Sequence, residues 1–226
     1  MAETSRAAGA QTLARGLRAL ELVTAARDGL TVQEVADQLD VHRSIASRLL
    51  STLADFRLAV RGGDGRYRAG VGLAALAGGI HATLRAEAEP VMRELADELG
   101  ATISLLVTEG ADAVALLVME PPAASWVLSF RTGSRHPLGR GSAGVALMAA
   151  RPPAPGDAEA VVRARERGFA ATFGEVEPGA HGVAVPIGAP GLPPACLNLI
   201  TYRAEVAEKA PAALIAAATR LSERLA

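Results

Sequence analysis

The chain has 226 residues, of which 50% are hydrophobic and 21% are charged, so a packed core is readily supplied and a disordered protein is excluded. The formal net charge is −1, so the molecule as a whole carries no polyanion-binding charge excess. The single cysteine, Cys196, excludes an intrachain disulfide framework and a zinc site made of cysteines alone. The sequence shows no apolar run long enough to span a membrane and no apolar segment of a signal peptide near its start. We therefore expect a soluble, cytoplasmic protein that binds no membrane, no metal and no cofactor.

The N-terminal part of the chain predicts two helices joined by a short turn. The first is expected over Gln11–Arg27, where apolar residues recur at helical spacing, and Gly29 is expected to close it. Thr31 and Glu34 have the spacing of a capping box, in which each side chain accepts a hydrogen bond from the other residue's backbone N–H. They begin a second helix that is expected to end near Asp40.

A third helix, predicted over Arg43–Phe56, has two contrasting faces. The inward face is expected to carry Ile45, Leu49, Leu50 and Leu53. The other face combines small hydroxyl residues with two arginines and has no acid before Asp55; it comprises Arg43, Ser44, Ser47, Arg48 and Ser51. Small side chains let a helix approach a DNA groove closely, and Ser and Arg contact phosphates or base edges. A short helix, a tight turn and a second helix of this kind form a helix-turn-helix.

A basic hairpin is predicted directly after this helix, with strands at Leu58–Arg61 and Arg66–Ala69 around the turn Gly62–Gly65. Between Val41 and Arg68 the chain has six arginines and two aspartates, a local charge of +4. Such a hairpin is typical of the wing of a winged helix, although winged helices also serve as protein-docking modules. The residues expected to contact double-stranded DNA are His42, Arg43, Ser44, Ser47, Arg48, Arg61, Arg66 and Arg68.

The remaining chain predicts a linker followed by an α+β domain. An Ala-rich helix is expected over Leu73–Glu87, and Pro90 is expected to begin a new helix that ends at Gly100. The predicted strands lie at 101–108, 113–120, 125–131, 182–187 and 195–202, and the predicted helices at 142–150, 157–167 and 204–225. Hairpin-paired strands with helices at both ends indicate an antiparallel α+β domain.

The residues Gly139–Gly144 match G-x-G-x-x-G, but a dinucleotide site also needs a preceding buried strand and a following parallel strand, and neither is predicted. A helix that begins near Ser142 can still hold a small carboxylate at its N-terminus; alternatively, the glycines only permit close packing. The nucleophile motif G-x-S-x-G fails because Arg140 stands where its first glycine is required. Cys196 lies within an apolar strand and is expected in the core. We therefore expect no catalytic residues.

Segments along nearly the whole chain resemble the IclR family of bacterial transcriptional regulators. They are TLARGLRALELV, LTVQEVADQLDVHRSIASRLLSTL and RLAVRGGDGRYRAG, then AEPVMRELADELGATISLLV, GSRHPLGRGSAGVALMA, GEVEPGAHGVAVPI and ACLNLITY. The resemblance implies a winged helix-turn-helix over 1–72, a linker helix over 73–88 and a GAF-like effector-binding domain with an antiparallel sheet over 89–226.

The same resemblance implies a ligand-responsive repressor or activator that binds operator DNA as a homodimer or homotetramer. Its effector would be a small metabolite, commonly a carboxylate or an aromatic acid. By this resemblance the effector pocket would be lined by Ser142, Ala143, Ala180, Gly182, Asn198 and Ile200. Thr172 stands where the family has an acid at the edge of the pocket, which leaves open a ligand-independent DNA-binding or oligomerisation protein. A third hypothesis for the function is a GAF-domain enzyme.

Overall fold

The structure is a computed structural model that describes residues 10–79, 81–121, 130–188 and 191–226. The chain divides into two units, Met1–Ile80 and His81–Ala226. Within the described ranges, no helix is both long and apolar enough to cross a membrane.

The N-terminal unit contains the three predicted helices, α1 (Gln11–Ala25), α2 (Val32–Leu39) and α3 (Arg43–Asp55). The capping box at the start of α2 is confirmed: the Thr31 N–H donates to Glu34 Oε2 at 2.7 Å, and the Glu34 N–H donates to Thr31 Oγ1 at 3.2 Å. Gly29 does not cap α1, which ends at Ala25. It has a left-handed backbone and passes close to the hairpin, where a Cβ would lie 2.6 Å from the Tyr67 carbonyl oxygen.

The prediction for the core of this unit is wrong at one residue. Ile45 is 38% exposed, whereas Ala46 is fully buried. The buried stripe of α3 runs at positions 46, 49, 50 and 53, a regular helical spacing that leaves position 45 at its edge.

The predicted hairpin is confirmed as β1 (Ala59–Arg61) and β2 (Tyr67–Ala69), which pair antiparallel. The turn closes through a hydrogen bond of 2.8 Å from the Gly62 N–H to the Arg66 carbonyl. The Tyr67 and Leu30 backbones exchange two hydrogen bonds, which join the hairpin to the start of α2.

The helices predicted around the linker differ from the structure in two respects: the helix expected over Leu73–Glu87 is interrupted, and Pro90 does not begin a new helix. The helices are α4 (Gly72–Ala77) and α5 (Ala82–Leu99), and Pro90 lies inside α5 rather than at the start of a new helix. Pro90 cannot donate to the Ala86 carbonyl, but the residues that α5 buries on both sides of it keep the helix continuous. The break comes earlier, between Ala77 and Ala82, after two consecutive glycines with low helix propensity.

The second unit has a six-stranded antiparallel sheet, as the α+β prediction requires, in the order β5-β4-β3-β8-β7-β6. The strands are β3 (Thr102–Glu109), β4 (Asp112–Met119), β5 (Arg135–Pro137), β6 (Ala170–Phe173), β7 (His181–Ile187) and β8 (Ala195–Thr201). The edge strands β5 and β6 were not predicted, because three or four residues carry little alternation. The predicted strand 125–131 lies outside the described residues except for its last two, which are not in a strand.

The two faces of this sheet are covered by different helices. Helices α5 and α8 (Ala204–Leu225) pack on one face, and α6 (Gly141–Ala149) and α7 (Glu159–Arg167) pack on the other. All seven residues of the central strand β8 are buried. Leu197 and Leu199 belong to the core beneath α5 and α8, whereas Cys196 and Ile200 belong to the core beneath α6. Asn198 therefore faces α6, because strand side chains alternate.

Candidate nucleic-acid interface and ligand pocket

The hydroxyl and arginine face of α3 is open to solvent, with Arg43, Ser44, Ser47, Arg48 and Ser51 all exposed. His42 is the N-cap of the helix, and its Nδ1 accepts a hydrogen bond of 3.3 Å from the Ser44 N–H. The Ser44 hydroxyl lies 2.8 Å from the same nitrogen. In the described part of the chain, neither Arg43 nor Arg48 has an ion pair or a hydrogen-bonded side-chain partner.

The arginines of the hairpin are placed differently. The Arg66 guanidinium donates to both carboxylate oxygens of Glu34, at 2.9 and 3.1 Å, and to the Gly29 carbonyl at 2.8 Å. Arg68 donates to both carboxylate oxygens of Asp64, at 2.6 and 3.1 Å. Arg61 is exposed and lies over the Tyr67 ring, 5.9 Å from its centroid.

These pairs affect the charge of the hairpin. The Arg68 guanidinium and the Arg66 backbone N–H hold the pKa of Asp64 well below its usual range. The Thr31 N–H and hydroxyl, and then Arg66, lower the pKa of Glu34. Both acids are therefore ionised near neutral pH and offset the charge of Arg66 and Arg68. Arg61 is the wing arginine without a carboxylate partner among the described residues.

Sequence reasoning missed Ile45 as a member of the exposed face. Its aliphatic side chain lies one turn of the helix before Arg48 and is exposed beside the serine and arginine residues. The sequence contained a signal that could have identified it. If Ala46 is counted as a core residue, the buried stripe at helical spacing excludes position 45 from the core.

All six residues predicted for an effector pocket line one cavity in the second unit. Its empty space is about 400 Å³, including the open mouth. The predicted residues are Ser142, Ala143, Ala180, Gly182, Asn198 and Ile200. Additional lining residues include Phe130, His136, Gly141, Thr172 and Glu175.

A buried chain of polar groups forms the floor of this cavity. The Ser142 hydroxyl donates to Asn198 Oδ1 at 2.7 Å, and Asn198 Nδ2 donates to Ser104 Oγ at 3.2 Å. The three residues are at most 4% exposed. Gly182 leaves room for Ser142, since a Cβ at Gly182 would lie 2.3 Å from the Ser142 hydroxyl oxygen. The two hydrogen bonds fix the orientation of the Asn198 amide at the cavity wall.

The N-terminus of α6, for which anion binding and close packing were both left open, carries a carboxylate of the chain itself. The Gly141 N–H donates to Glu175 Oε2 at 2.7 Å, and Arg140 Nε donates to the Glu175 carbonyl at 2.9 Å. Glu175 was not identified from the sequence, because it lies in the loop between β6 and β7, far from Gly141 along the chain. The close-packing reading also has support, since a Cβ at Gly144 would lie 3.0 Å from the Pro137 carbonyl oxygen.

His136 is the second residue of the cavity, after Glu175, that was not identified from the sequence. It is 8% exposed, and both of its ring nitrogens are buried without a hydrogen-bond partner among the described residues. Burial and then the nearby Arg140 charge lower the pKa of His136, and Asp112 opposes them, so the ring is neutral near pH 7. The Ser142 hydroxyl donates to Asn198 and not to His136. His136 therefore does not activate Ser142 as a nucleophile.

Cys196 is fully buried, as predicted for a core residue, and burial raises the pKa of its thiol far above the usual range. The thiol is therefore neither accessible nor ionised, as a redox residue would have to be. Within the described ranges, no group of three or more His, Cys, Asp or Glu residues is placed to bind a metal.

Comparisons with known proteins match both units. The IclR helix-turn-helix domain model matches residues 12–63, and the model described as bacterial transcriptional regulator IclR C-terminal matches residues 80–160. HTH-type transcriptional regulator Rv1719 of Mycobacterium tuberculosis is 32% identical over 152 residues, which are 67% of this chain and 58% of that protein. The match therefore spans less than two thirds of that relative.

Solved structures share the fold over nearly their whole length. The Thermotoga maritima IclR structure has a TM-score of 0.75 at 21% identity and covers 95% of this chain and 98% of its own. An IclR homologue from Microbacterium hydrocarbonoxydans, complexed with 4-hydroxybenzoate, has a TM-score of 0.75 at 25% identity and the same coverage. Pseudomonas aeruginosa HmgR has a TM-score of 0.73 at 21% identity and covers 96% of this chain and 99% of its own.

Proposed function

The chain belongs to the IclR family of bacterial transcriptional regulators, and on that premise we propose that it binds operator DNA through its N-terminal unit and a small effector through its second unit. The family is one of DNA-binding regulators rather than enzymes. A regulator of this kind acts in the cytoplasm, where operator DNA lies, as a repressor or an activator.

The observation that carries the DNA-binding proposal is the acid-free, solvent-exposed face of α3. Its serines are small enough to let the helix enter a major groove, and Arg43 and Arg48 need not leave a carboxylate to reach DNA. We assign Arg48 and Ile45 to base edges, and Arg43 and Ser44 to phosphates next to the helix start. Ser47 lies between these contacts, and His42 caps the helix that presents them.

The wing adds a phosphate contact from Arg61. Arg66 and Arg68 keep their pairs with Glu34 and Asp64 and shape the wing beside the DNA backbone. A homodimer or homotetramer is proposed, because a two-fold protein matches a palindromic operator and doubles a modest set of contacts.

The effector is proposed to be a carboxylate or an aromatic acid. Phe130, Ala143, Ala180 and Ile200 offer apolar contacts to a small ring. Asn198 and the neutral His136 offer hydrogen bonds for polar substituents. Support comes from the 4-hydroxybenzoate bound to the Microbacterium relative, which makes that compound a suitable first probe.

A ligand-independent regulator is the second candidate, and Glu175 favours it. The carboxylate position at the α6 N-terminus is filled by this residue, so the unit is complete without an added anion. Thermal-shift titration with 4-hydroxybenzoate and other small carboxylates separates the two, because a ligand that binds the folded protein raises its melting temperature. If the melting temperature stays unchanged with every compound, the result favours the ligand-independent regulator.

Band-shift titration tests the DNA-binding proposal. Wild type is expected to bind its operator more tightly than a random duplex, and Arg48→Ala is expected to weaken operator binding by about 1–3 kcal/mol with little effect on random DNA. Arg167→Ala, which removes an exposed arginine of the second unit, is the matched control. Equal binding of wild type to both duplexes overturns the proposal.

A further inference from the structure

The loop between β6 and β7 lines one side of the cavity, where it contributes Glu175, Val176 and Glu177. It is held by a hydrogen bond of 2.8 Å from the Gly174 N–H to the Ala180 carbonyl, and by a contact of 3.4 Å between the Tyr202 hydroxyl and Glu177. Val176 lies against the start of α6, where a Cβ on Gly141 would be 2.5 Å from Val176 Cγ2. These contacts bring Glu175 to the helix N-terminus.

The carboxylate of Glu175 occupies the position that suits an anion best. The first N–H groups of α6 have no partner within the helix, and the helix dipole favours negative charge there. A carboxylate that accepts from a backbone N–H makes a stronger bond than a neutral acceptor does. Glu175 is nevertheless an exposed residue, so its side chain can swing into solvent without disturbing the core.

His136 points independently to a ligand in the same cavity. The residue is more than nine-tenths buried, and neither ring nitrogen has a partner in the part of the chain that the structure describes. His136 Nε2 lies 3.7 Å from the point that a Cβ on Gly141 would occupy, so it is next to the α6 N-terminus. Buried polar groups are nearly always hydrogen-bonded, and a ligand seated beside Gly141 would supply the missing bond.

We propose that Glu175 is a specificity-determining residue of this pocket, and that a ligand carboxylate binds by replacing the Glu175 carboxylate at the Gly141 N–H. The inference rests on the effector site proposed above. The Glu175 side chain leaves for solvent, the ligand carboxylate takes the helix N-terminus, and a neighbouring polar group of the ligand bonds to His136. An uncharged analogue lacks the charge needed to displace Glu175 and gains nothing from its removal.

The experiment measures binding of 4-hydroxybenzoate and of its uncharged analogue 4-hydroxybenzamide by isothermal titration calorimetry. Glu175→Gln removes the competing charge and keeps the size of the side chain. It is expected to tighten 4-hydroxybenzoate binding by about tenfold and to change 4-hydroxybenzamide binding by less than about twofold, since a charged hydrogen bond is worth about twice a neutral one. Glu166→Gln, which removes an exposed carboxylate of α7 that does not line the cavity, is the comparison variant.

Several results would overturn the exchange. One is an unchanged or weakened affinity of Glu175→Gln for 4-hydroxybenzoate. Another is an equal gain in Glu166→Gln, which would indicate a general charge effect. Binding of 4-hydroxybenzoate to Glu175→Gln with none to wild type supports the exchange, because Glu175 then blocks the subsite. If no probe binds any of the three proteins, the effector function fails together with this inference. If wild type binds and Glu175→Gln is no different, only the inference fails.

The Gly141 amide gives a second readout in a ¹H–¹⁵N spectrum of the full chain. Its resonance is expected to move in Glu175→Gln, and addition of 4-hydroxybenzoate to that variant is expected to return it toward the wild-type position. A Gly141 resonance that is the same in both proteins overturns the contact from which the proposal starts, whatever the titrations show.

Discussion

Replacing Arg43 and Arg66 by alanine, one at a time, is expected to change two different properties of the protein. Arg43 is exposed and has no partner within the described residues, so its loss removes a DNA contact and leaves the fold intact. Arg66 bonds to Glu34 and Gly29, so its loss removes the side-chain contacts between the wing and the start of α2 and lowers the free energy of unfolding.

The magnitude follows from the salt dependence of DNA binding. Each phosphate contact contributes about −0.9 to the slope of log affinity against log salt concentration. If Arg43 and Arg61 supply the phosphate contacts, the slope is about −1.8 per protomer; with Arg66 and Arg68 as well, it is about −3.6. Arg43→Ala is therefore expected to halve the wild-type slope. Arg66→Ala is expected to keep the wild-type slope of about −1.8 per protomer.

The assay is fluorescence anisotropy on a random-sequence duplex at salt concentrations from about 50 to about 200 mM, which requires no knowledge of the operator. Circular dichroism at the same temperature confirms that Arg66→Ala is folded during the titration. A slope that falls as much in folded Arg66→Ala as in Arg43→Ala would refute the reasoning, because Arg66 would then have left Glu34 for the DNA.

Three further predictions concern stability. Thr31→Ala is expected to destabilise the N-terminal unit by about 1 kcal/mol in urea unfolding, because it removes the N-cap of α2. Gly182→Ala is expected to cost about 1–3 kcal/mol by the same measurement, since the new Cβ meets the Ser142 hydroxyl. His136→Phe is expected to flatten the pH dependence of unfolding below about pH 6.5. Since burial lowers the pKa of His136 in the folded protein, protonation favours the unfolded chain, and wild-type stability is lost as the pH falls below the unfolded value.

Each of these predictions has a control or a contrary result. Thr31→Ser keeps the capping hydroxyl and is expected to unfold like wild type. Gly188→Ala, where a Cβ would meet its nearest neighbour at 4.0 Å, is expected to be nearly neutral, so equal losses in Gly182→Ala and Gly188→Ala would contradict the clash. A pH profile of His136→Phe that parallels wild type down to about pH 5 would show that His136 does not titrate on unfolding.

Local signals explain most of what the sequence predicted. The capping box at Thr31 and Glu34, the glycine turn of the hairpin and the apolar stripe of α3 depend on neighbours within a few residues. The structure confirms the first two, and it confirms the stripe except for Ile45. Pro90 was misread because the burial that keeps α5 continuous comes from tertiary packing, which overrides the local preference of proline.

The candidate sites were predictable to different degrees. The α3 face can be derived from helical spacing alone. The six pocket residues came from a family resemblance, and the structure brings them around one cavity. Glu175 and His136 could not be found in this way, because their roles arise where the β6–β7 loop and β5 meet the start of α6. The pairing of Arg66 with Glu34 is likewise a tertiary contact between distant segments.

The buried central strand limits how this pocket can diverge in evolution. Every residue of β8 is enclosed, with Leu197 and Leu199 packed on one side and Cys196 and Ile200 on the other. A substitution there that suits a new ligand also disturbs a hydrophobic core. The loop from 174 to 179 is mostly exposed and can change at little cost to folding. Among descendants of this protein, new ligand preferences are therefore expected to arise first in the loop that carries Glu175.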